Sequence, residues 1–202
     1  TFFSGGTIWC GVGCVASSVR IDGEKIVEIN GATYPGDEVV DLQGGFLAPA
    51  FMDGHAHPLF GGREAQGPLV NGLQSVEEMV AEVKRFAVAN PNTPWIVGGA
   101  YEAAVIAGGD FLATWLDEAV SDRPVVLQAV DHHTIWVNSK AIEIAGISAA
   151  TVDPDGGTIA RNPDGSARGT LREPSAMDLI MNHAPDRTLE DDVAAIAWSS
   201  QR

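Results

Sequence analysis

The chain has 202 residues, of which 45% are apolar and 19% charged. This composition suits a globular chain with a sizeable core, excludes a disordered or collagen-like chain, and allows one or two domains at about 100–200 residues each. Its 27 acidic and 12 basic residues give a net charge of −15, which argues against a nucleic-acid partner because a phosphate backbone would be repelled.

Neither a secretory signal nor a membrane span is recognisable. The first basic residue is Arg20, so no positively charged segment precedes an apolar block, and no run of about 20 apolar residues could cross a bilayer. Cys10 and Cys14 have a C-x3-C spacing that is not one of the usual zinc spacings, so we interpret them as buried thiols in a reducing compartment. We therefore expect a cytoplasmic protein without a membrane partner.

Residues 1–48 predict a small β unit, which we take as the first domain. The segments 17–21 and 25–29 flank Asp22-Gly23, a strong hairpin signal, and 38–42 indicates another short strand.

Residues 49–202 are the second predicted domain, and strands alternate with helices along them. The apolar run 46–52 predicts a strand buried on both faces, and Ser75 with Glu78 forms a capping box at the start of a helix. Further strands are predicted at 95–98 and 124–128, and helices at 112–120 and 139–144. This alternation predicts a parallel sheet with right-handed crossovers.

The last part of the chain has a different pattern. The segments 158–161 and 168–172 flank the turn Asn-Pro-Asp-Gly and predict a hairpin insertion near 153–172. Thr188 then caps a final helix, and the chain is expected to stop inside it.

Two histidines directly follow the apolar strand, where residues 53–58 read DGHAHP. Side chains two residues apart on a strand project to the same side, so His55 and His57 can bind one metal ion. The carboxyl end of a strand is also where α/β folds place their sites.

Several segments resemble one known family. Residues 47–57, LAPAFMDGHAH, are similar to the first-strand signature of the amidohydrolase superfamily, usually P-G-F-x-D-x-H-x-H, with Ala50 in place of the usual glycine. Segments before that strand resemble the β-sandwich part of the superfamily, and later ones resemble amidohydrolase family 3, which includes N-substituted formamide deformylases. These segments are 23–29 and 39–44, then 95–102, 116–125, 131–141, 153–157 and 169–173.

The resemblance implies an α/β fold, the N-terminal part of a metal-dependent-hydrolase (β/α)8 TIM barrel with a small β-sandwich appendage. The barrel is expected to be incomplete, because about three βα units follow His57 where eight are needed. It also implies hydrolysis of amide-type C–N bonds in N-substituted formamides or N-acyl compounds, with one or two divalent metal ions, zinc first among them.

The resemblance assigns metal ligation to His55 and His57, with Asp53 orienting their loop. The family also needs a carboxylate-type ligand, often a carboxylated lysine, but none of the three lysines is well placed. Glu173 can supply the same oxygen donor, although a helix-terminal or surface role is also open. The three lysines are Lys25, Lys84 and Lys140.

Other polar residues near strand ends are candidates for contact with the substrate. His133 is a candidate catalytic residue that would polarise a substrate carbonyl, or else a structural histidine. Tyr101 and Glu102 could line the pocket. His132 is expected to be structural and His183 to lie at the surface.

A second hypothesis is a non-catalytic fragment or binding module that needs a partner polypeptide. An open sheet with bare edges favours association, as a homo-oligomer or with a missing C-terminal half. The expected partner of the enzyme is a small-molecule substrate.

Overall fold

The computed structural model describes residues 1–50 and 54–201. The chain divides into two compact units, Thr1–Ala56 and His57–Arg202. The sequence predicts the boundary eight residues earlier, after residue 48. In the described part of the chain, no helix has the length and apolar character needed to cross a membrane.

Among its described residues, the N-terminal unit contains a five-stranded sheet. The strand order is β3-β2-β1-β4, with β5 beside β1, and Ile8, Ala16 and Val19 form its core. The hairpin predicted at Asp22-Gly23 is confirmed, because β2 and β3 pair on either side of it. The strands are β1 (Phe2–Gly11), β2 (Cys14–Asp22), β3 (Lys25–Ile29), β4 (Val39–Asp41) and β5 (Phe46–Leu47).

The prediction of a buried strand over 46–52 is wrong for its described residues. Only Phe46–Leu47 is a strand, and it pairs in parallel with β1 of the N-terminal unit. Phe46 is 66% exposed. An uninterrupted apolar run predicts a strand with both faces buried. The exposure of Phe46 shows that this strand is not covered on both faces. Residues 51–53, including Asp53, lie outside the described residues.

The prediction of buried thiols is also wrong. Cys10 and Cys14 form a disulfide, with 5.2 Å between their Cα atoms. They sit at the end of the β1–β2 hairpin, where Gly11 is registered with Cys14, and Cys14 is exposed. Pairing across this tight turn brings the two sulfur atoms together, so the spacing reflects hairpin geometry.

The C-terminal unit combines six helices with a second five-stranded sheet among its described residues. The helices are α1 (Pro58–Glu64), α2 (Val76–Ala89), α3 (Ala113–Asp117), α4 (Ser139–Ile144), α5 (Pro174–Met181) and α6 (Leu189–Ser199). The strands are β6 (Ile96–Tyr101), β7 (Val125–Ala129), β8 (Thr134–Val137), β9 (Thr158–Arg161) and β10 (Ala167–Arg172). The fold class is therefore mixed α/β.

The sheet is mixed, so the prediction of a wholly parallel sheet is wrong, although the two strands predicted at 95–98 and 124–128 are indeed parallel. Its order is β6-β7-β8-β10-β9, and β6 and β7 are parallel, whereas the pairs β7–β8, β8–β10 and β10–β9 are antiparallel. Only four residues, 130–133, join β7 to β8, and so short a connection permits an antiparallel return but no crossover. The predicted hairpin of β9 and β10 is confirmed and extends this sheet.

Two apolar clusters fill the two faces of the sheet. In the first, Tyr101, Phe111 and Trp136 meet with ring centroids 4.7–6.0 Å apart, in the range of favourable aromatic pairs. Trp136 Nε1 donates a hydrogen bond to the carbonyl of Leu112 at 2.8 Å, which satisfies its polar atom. The second cluster packs α4 and α5 against the other face.

Local capping signals predict the helix starts well. The Ser75 hydroxyl accepts from the Glu78 amide at 3.1 Å, and the Glu78 carboxylate accepts from the amide of Gln74. Thr188 and Asp191 form a reciprocal capping box at α6. That helix ends at Ser199, whereas the sequence predicts a helix that continues to the end of the chain.

A buried asparagine joins the stretch 120–125 to the start of α4 in the C-terminal unit. Asn138 Oδ1 accepts from the amides of Val125 (2.9 Å) and Ala141 (3.0 Å), and the second of these bonds caps α4. Its Nδ2 donates to the carbonyls of Val120 (2.9 Å) and Arg123 (2.8 Å). One fully buried side chain therefore satisfies four backbone groups.

Helices α1 and α6 pack closely. A side chain at Gly62 would collide with the backbone of Ala195, so only glycine permits this approach. Beside it, the Arg63 guanidinium binds Asp192 in a bidentate manner, with Nε–Oδ1 at 2.9 Å and Nη2–Oδ2 at 2.8 Å. Arg187 Nε reaches the same carboxylate at 3.3 Å.

Replacing Asp192 by asparagine should lower the midpoint of thermal unfolding by a few degrees at pH 7. Hydrogen bonding to Arg63 holds the pKa of Asp192 below its ordinary value of 3.8. A lowered pKa contributes stability above the ordinary value, and this stability is lost as pH falls through the lowered pKa. The gap between wild type and variant, measured by circular dichroism, should therefore close in acid. The exposed Asp186→Asn serves as control; a gap that persists at about pH 2 contradicts the prediction.

Candidate active site

Three strands of the C-terminal unit end at one edge of the sheet. β10 is antiparallel to β8, which is antiparallel to β7, so β10 runs in the same direction as β6 and β7. Tyr101 therefore ends β6, the turn 130–133 follows β7, and Glu173 follows β10 at the same edge. The carboxyl ends of parallel strands are where α/β sheets place their chemistry.

His133 and Glu173 are a hydrogen-bonded pair at this edge. His133 Nδ1 lies 3.0 Å from Glu173 Oε2, and the Glu173 amide donates to the His133 carbonyl at 2.7 Å. The Glu173 hydrogen bond raises the pKa of His133, and the charges of Glu173 and Asp131 act in the same direction. Both side chains are more than 45% exposed, so they are accessible to a ligand.

Unusual backbone conformations place these side chains. Glu173 has φ +66° and ψ +151°, and His132 has φ +59°, regions that side chains rarely adopt. The Asp131 carboxylate accepts from the His133 amide at 2.9 Å, which closes the turn in an Asx motif. Such backbone strain is typical of functional sites.

His132 faces α1 on the other side of the turn. Its Nε2 lies 3.7 Å from Glu64 Oε1, and its ring centroid is 5.5 Å from that of Phe60. The Phe60 centroid is in turn 5.7 Å from the ring of His57, which precedes α1. The sequence predicts a structural His132 and does not single out Phe60 or Glu64. Their positions three and seven residues after His57, on one helix, are the signal that could have revealed them.

Tyr101 is fully buried, although the sequence makes it a candidate for lining a substrate pocket. Its ring packs on Phe111 and Trp136, and its hydroxyl is buried without a hydrogen-bond partner among the described residues. Burial raises the pKa of the hydroxyl, the charge of Asp131 raises it further, and Arg172 opposes both. Tyr101 thus lies beneath the edge that carries the charged residues.

Arg172 binds the loop after β6 at the same edge of the sheet. Its Nη2 donates to the carbonyls of Gly108 (3.1 Å) and Gly109 (3.2 Å) and lies 2.7 Å from Asp110 Oδ1. Glu102 is exposed and precedes the short 3-10 turn Ala103–Val105 in this loop. Glu102 is therefore available for contact with a ligand.

The remaining candidates are exposed. His55 lies near the end of the N-terminal unit, and His57 lies at the start of the C-terminal unit. His183 follows α5 at the surface, as expected. Of the lysines, Lys25 lies in β3, Lys84 in α2 and Lys140 in α4, as expected from the sequence.

The donor chemistry of these residues suits a metal ion such as zinc only in part. Imidazole nitrogens and a carboxylate oxygen are common zinc ligands. However, no group of three or more His, Cys, Asp or Glu side chains that could hold a metal ion is formed within residues 1–50 and 54–201. The described part of the chain therefore does not present a complete ligand set.

Comparison with known proteins places the chain in a family. The model of the amidohydrolase family matches residues 38–202. The chain is 35% identical over 164 residues to the "Putative amidohydrolase YtcJ" of Bacillus subtilis, covering 80% of this chain and 30% of that protein. It is 29% identical over 170 residues to the "N-substituted formamide deformylase" of Arthrobacter pascens, covering 80% of this chain and 31% of the relative. It thus spans about a third of the length of these curated relatives.

A solved structure has the same fold. The "uncharacterized metal-dependent hydrolase" from Pyrococcus furiosus superposes with a TM-score of 0.57 at 24% identity. The match covers 99% of this chain and 41% of that one. The match of the family model over most of the sequence, together with the relatives above, shows that this chain belongs to amidohydrolase family 3.

Proposed function

We propose that the chain is part of a metal-dependent hydrolase that cleaves amide-type C–N bonds. The observation that carries the proposal is the His133–Glu173 pair, which lies at the carboxyl edge of the sheet in a member of the amidohydrolase family. A histidine held by a carboxylate has a fixed ring orientation and tautomer, as acid–base chemistry requires. The fold shared with an archaeal metal-dependent hydrolase is consistent with this activity.

His55, His57 and Glu173 are the residues that would hold the metal, which we propose to be zinc, as one or two ions. The described residues do not complete its ligand set, so further ligands would come from a longer protein. When bound, such a cation activates water and polarises a carbonyl group. Asp53 would orient the histidine loop, and a hydrogen bond such as that between His133 and Glu173 orients a ligating carboxylate.

The residues of this chain have separate roles in the proposed reaction. With Nδ1 held by Glu173, the Nε2 of His133 is the ring atom that would donate to the carbonyl oxygen of the substrate and stabilise the charge that develops there. Glu102 would contact the substrate from the loop after β6. Tyr101 supports the edge from below, because its ring is buried against Phe111 and Trp136.

The proposed substrates are small N-substituted formamides or N-acyl compounds. This choice is supported by the similarity to a protein named for deformylation of N-substituted formamides. Because the chain spans about a third of that relative, the proposed partners are the small-molecule substrate and the polypeptide that completes the fold. A second copy of the chain is the alternative partner.

Metal analysis of histidine variants tests this function. In the complete protein, we expect the wild type to retain zinc, measured by elemental mass spectrometry. The double variant His55→Ala/His57→Ala should lose that zinc and, in the complete protein, the release of formate from N-substituted formamides. The exposed His183→Ala is the matched control and should keep both. Retention of stoichiometric zinc by the double variant would contradict the proposal.

The fragment hypothesis requires a separate measurement. Intact-mass spectrometry of purified material should show a second, larger polypeptide with the 21.2 kDa chain if the enzyme is assembled from pieces. A single 21.2 kDa species that binds no zinc favours a non-catalytic module.

A further inference from the structure

Phe60 and Glu64 in α1 lie against the β7–β8 turn. His57 occupies the position before the helix, and Phe60 and Glu64 lie three and seven residues later. Residues with these spacings share a helix face, because 3.6 residues make one turn. His132, at the tip of the turn, contacts this face through both Phe60 and Glu64.

The rings of His57, Phe60 and His132 form a continuous series. The Phe60 centroid lies 5.7 Å from that of His57 and 5.5 Å from that of His132, with interplanar angles of 56° and 47°. These are distances at which aromatic rings interact favourably. The orientation of the Phe60 ring is thus coupled to both histidines.

Glu64 lies next to His132, the last ring of this series. Its Oε1 is buried without a hydrogen-bond partner among the described residues and lies 3.7 Å from His132 Nε2. A Cβ atom at Gly99 in β6 would come within 2.9 Å of Glu64 Cγ, so glycine provides the space that this side chain occupies.

The buried position of Glu64 destabilises the folded protein, so stability does not explain why a glutamate lies here. Burial raises the pKa of its carboxyl group, while the charge of His132 lowers it. A carboxylate oxygen removed from water without a hydrogen bond destabilises the folded state at neutral pH. A neutral side chain of the same size would avoid that cost, which points to a role for the charge beside His132.

We propose that Glu64 is a positioning residue, which acts through His132 and Phe60 to fix the ring of His57. This inference rests on the proposed function, in which His57 is a metal ligand. Outer partners that fix the ring of a ligating histidine typically change metal affinity by about 10- to 100-fold when they are removed. Glu64 reaches His57 through Phe60 and His132, so the lower end of that range is expected.

Zinc titration of the complete wild-type protein and of its Glu64→Gln variant tests the proposal. The dissociation constant, measured by competition with a chromophoric chelator, should rise about tenfold in Glu64→Gln. The thermal midpoint of the metal-free chain should stay the same or rise, because a neutral amide replaces a buried charge. Phe60→Leu, which keeps an apolar side chain but removes the ring, should weaken zinc binding in the same way.

A second measurement needs no metal. In histidine-labelled protein, the ring-proton signal of His57 should shift in Glu64→Gln, because the Phe60 ring moves, and in Phe60→Leu, because that ring is absent. Glu143→Gln is the matched control, since it removes only the exposed ion pair with Lys140 and should change neither reading.

Two outcomes would overturn the positioning role. One is wild-type zinc affinity in Glu64→Gln; the other is weaker binding accompanied by a lower thermal midpoint, which indicates a merely structural residue. His57→Asn separates this failure from failure of the proposed function. If His57→Asn binds zinc as the wild type does, His57 is not a ligand and the proposed function fails. If only His57→Asn weakens binding, the positioning role alone fails.

Discussion

Replacing Gly62 by alanine should lower the free energy of unfolding by about 3 kcal/mol. The added methyl group would meet the backbone of Ala195, including its carbonyl oxygen, in α6. Backbone atoms cannot rotate away as a flexible side chain can, so the two helices must separate. That separation would also stretch the bidentate pair between Arg63 and Asp192. Urea unfolding followed by circular dichroism measures the change.

The neighbouring glycine provides the control. A side chain at Gly61 meets nothing within 4 Å, and Gly61 lies in the same helix. Alanine is favoured over glycine in a helix by about 1 kcal/mol, so Gly61→Ala should be neutral or stabilising. The two substitutions add the same methyl group one residue apart, and equal effects would show that contact with α6 does not decide the outcome.

Asn138→Ala should destabilise the C-terminal unit by about 4 kcal/mol, because it removes four hydrogen bonds at a fully buried position. The amide of Val125 and the carbonyls of Val120 and Arg123 would lose their partner, and α4 would lose its N-terminal cap. Unfolding should then begin at a markedly lower urea concentration.

Asn182→Ala is the control for this effect. Asn182 is exposed at the end of α5, and substitutions at such positions usually change stability by less than about 0.5 kcal/mol. If Asn138→Ala costs no more than Asn182→Ala, water or nearby groups satisfy the freed backbone atoms, and Asn138 does not join the segments as described.

Local signals in the sequence predict much of the fold. Ser75 and Thr188 mark helix starts because a side-chain oxygen accepts from a nearby amide, an interaction that depends on neighbouring residues alone. The strand β8 is missed because its turn contains no glycine or proline; His132 takes the left-handed conformation that glycine would normally signal. Without that turn, the order of elements implies a crossover and a parallel sheet.

The site is predictable only in part. The resemblance to the amidohydrolases singles out Glu173, and a position near a strand end singles out His133. Their hydrogen bond, however, joins residues 40 positions apart and depends on the register of β8 with β10. Alternation along a strand assigns His132 to a structural role. His132 does face away from His133, but alternation cannot predict its contact with Glu64, which depends on the positive φ of His132 in the turn.

The disulfide between Cys10 and Cys14 joins two residues of one hairpin. In the chain-entropy account, a cross-link that closes a loop of about five residues contributes about 2 kcal/mol, much less than one spanning a whole domain. The hairpin has six registered residue pairs in addition to the cross-link, one of them at the link itself. The N-terminal sheet should therefore persist through oxidation and reduction. Because Cys14 is exposed, external thiols can reach the bond, and we expect it to be reduced without unfolding of the sheet.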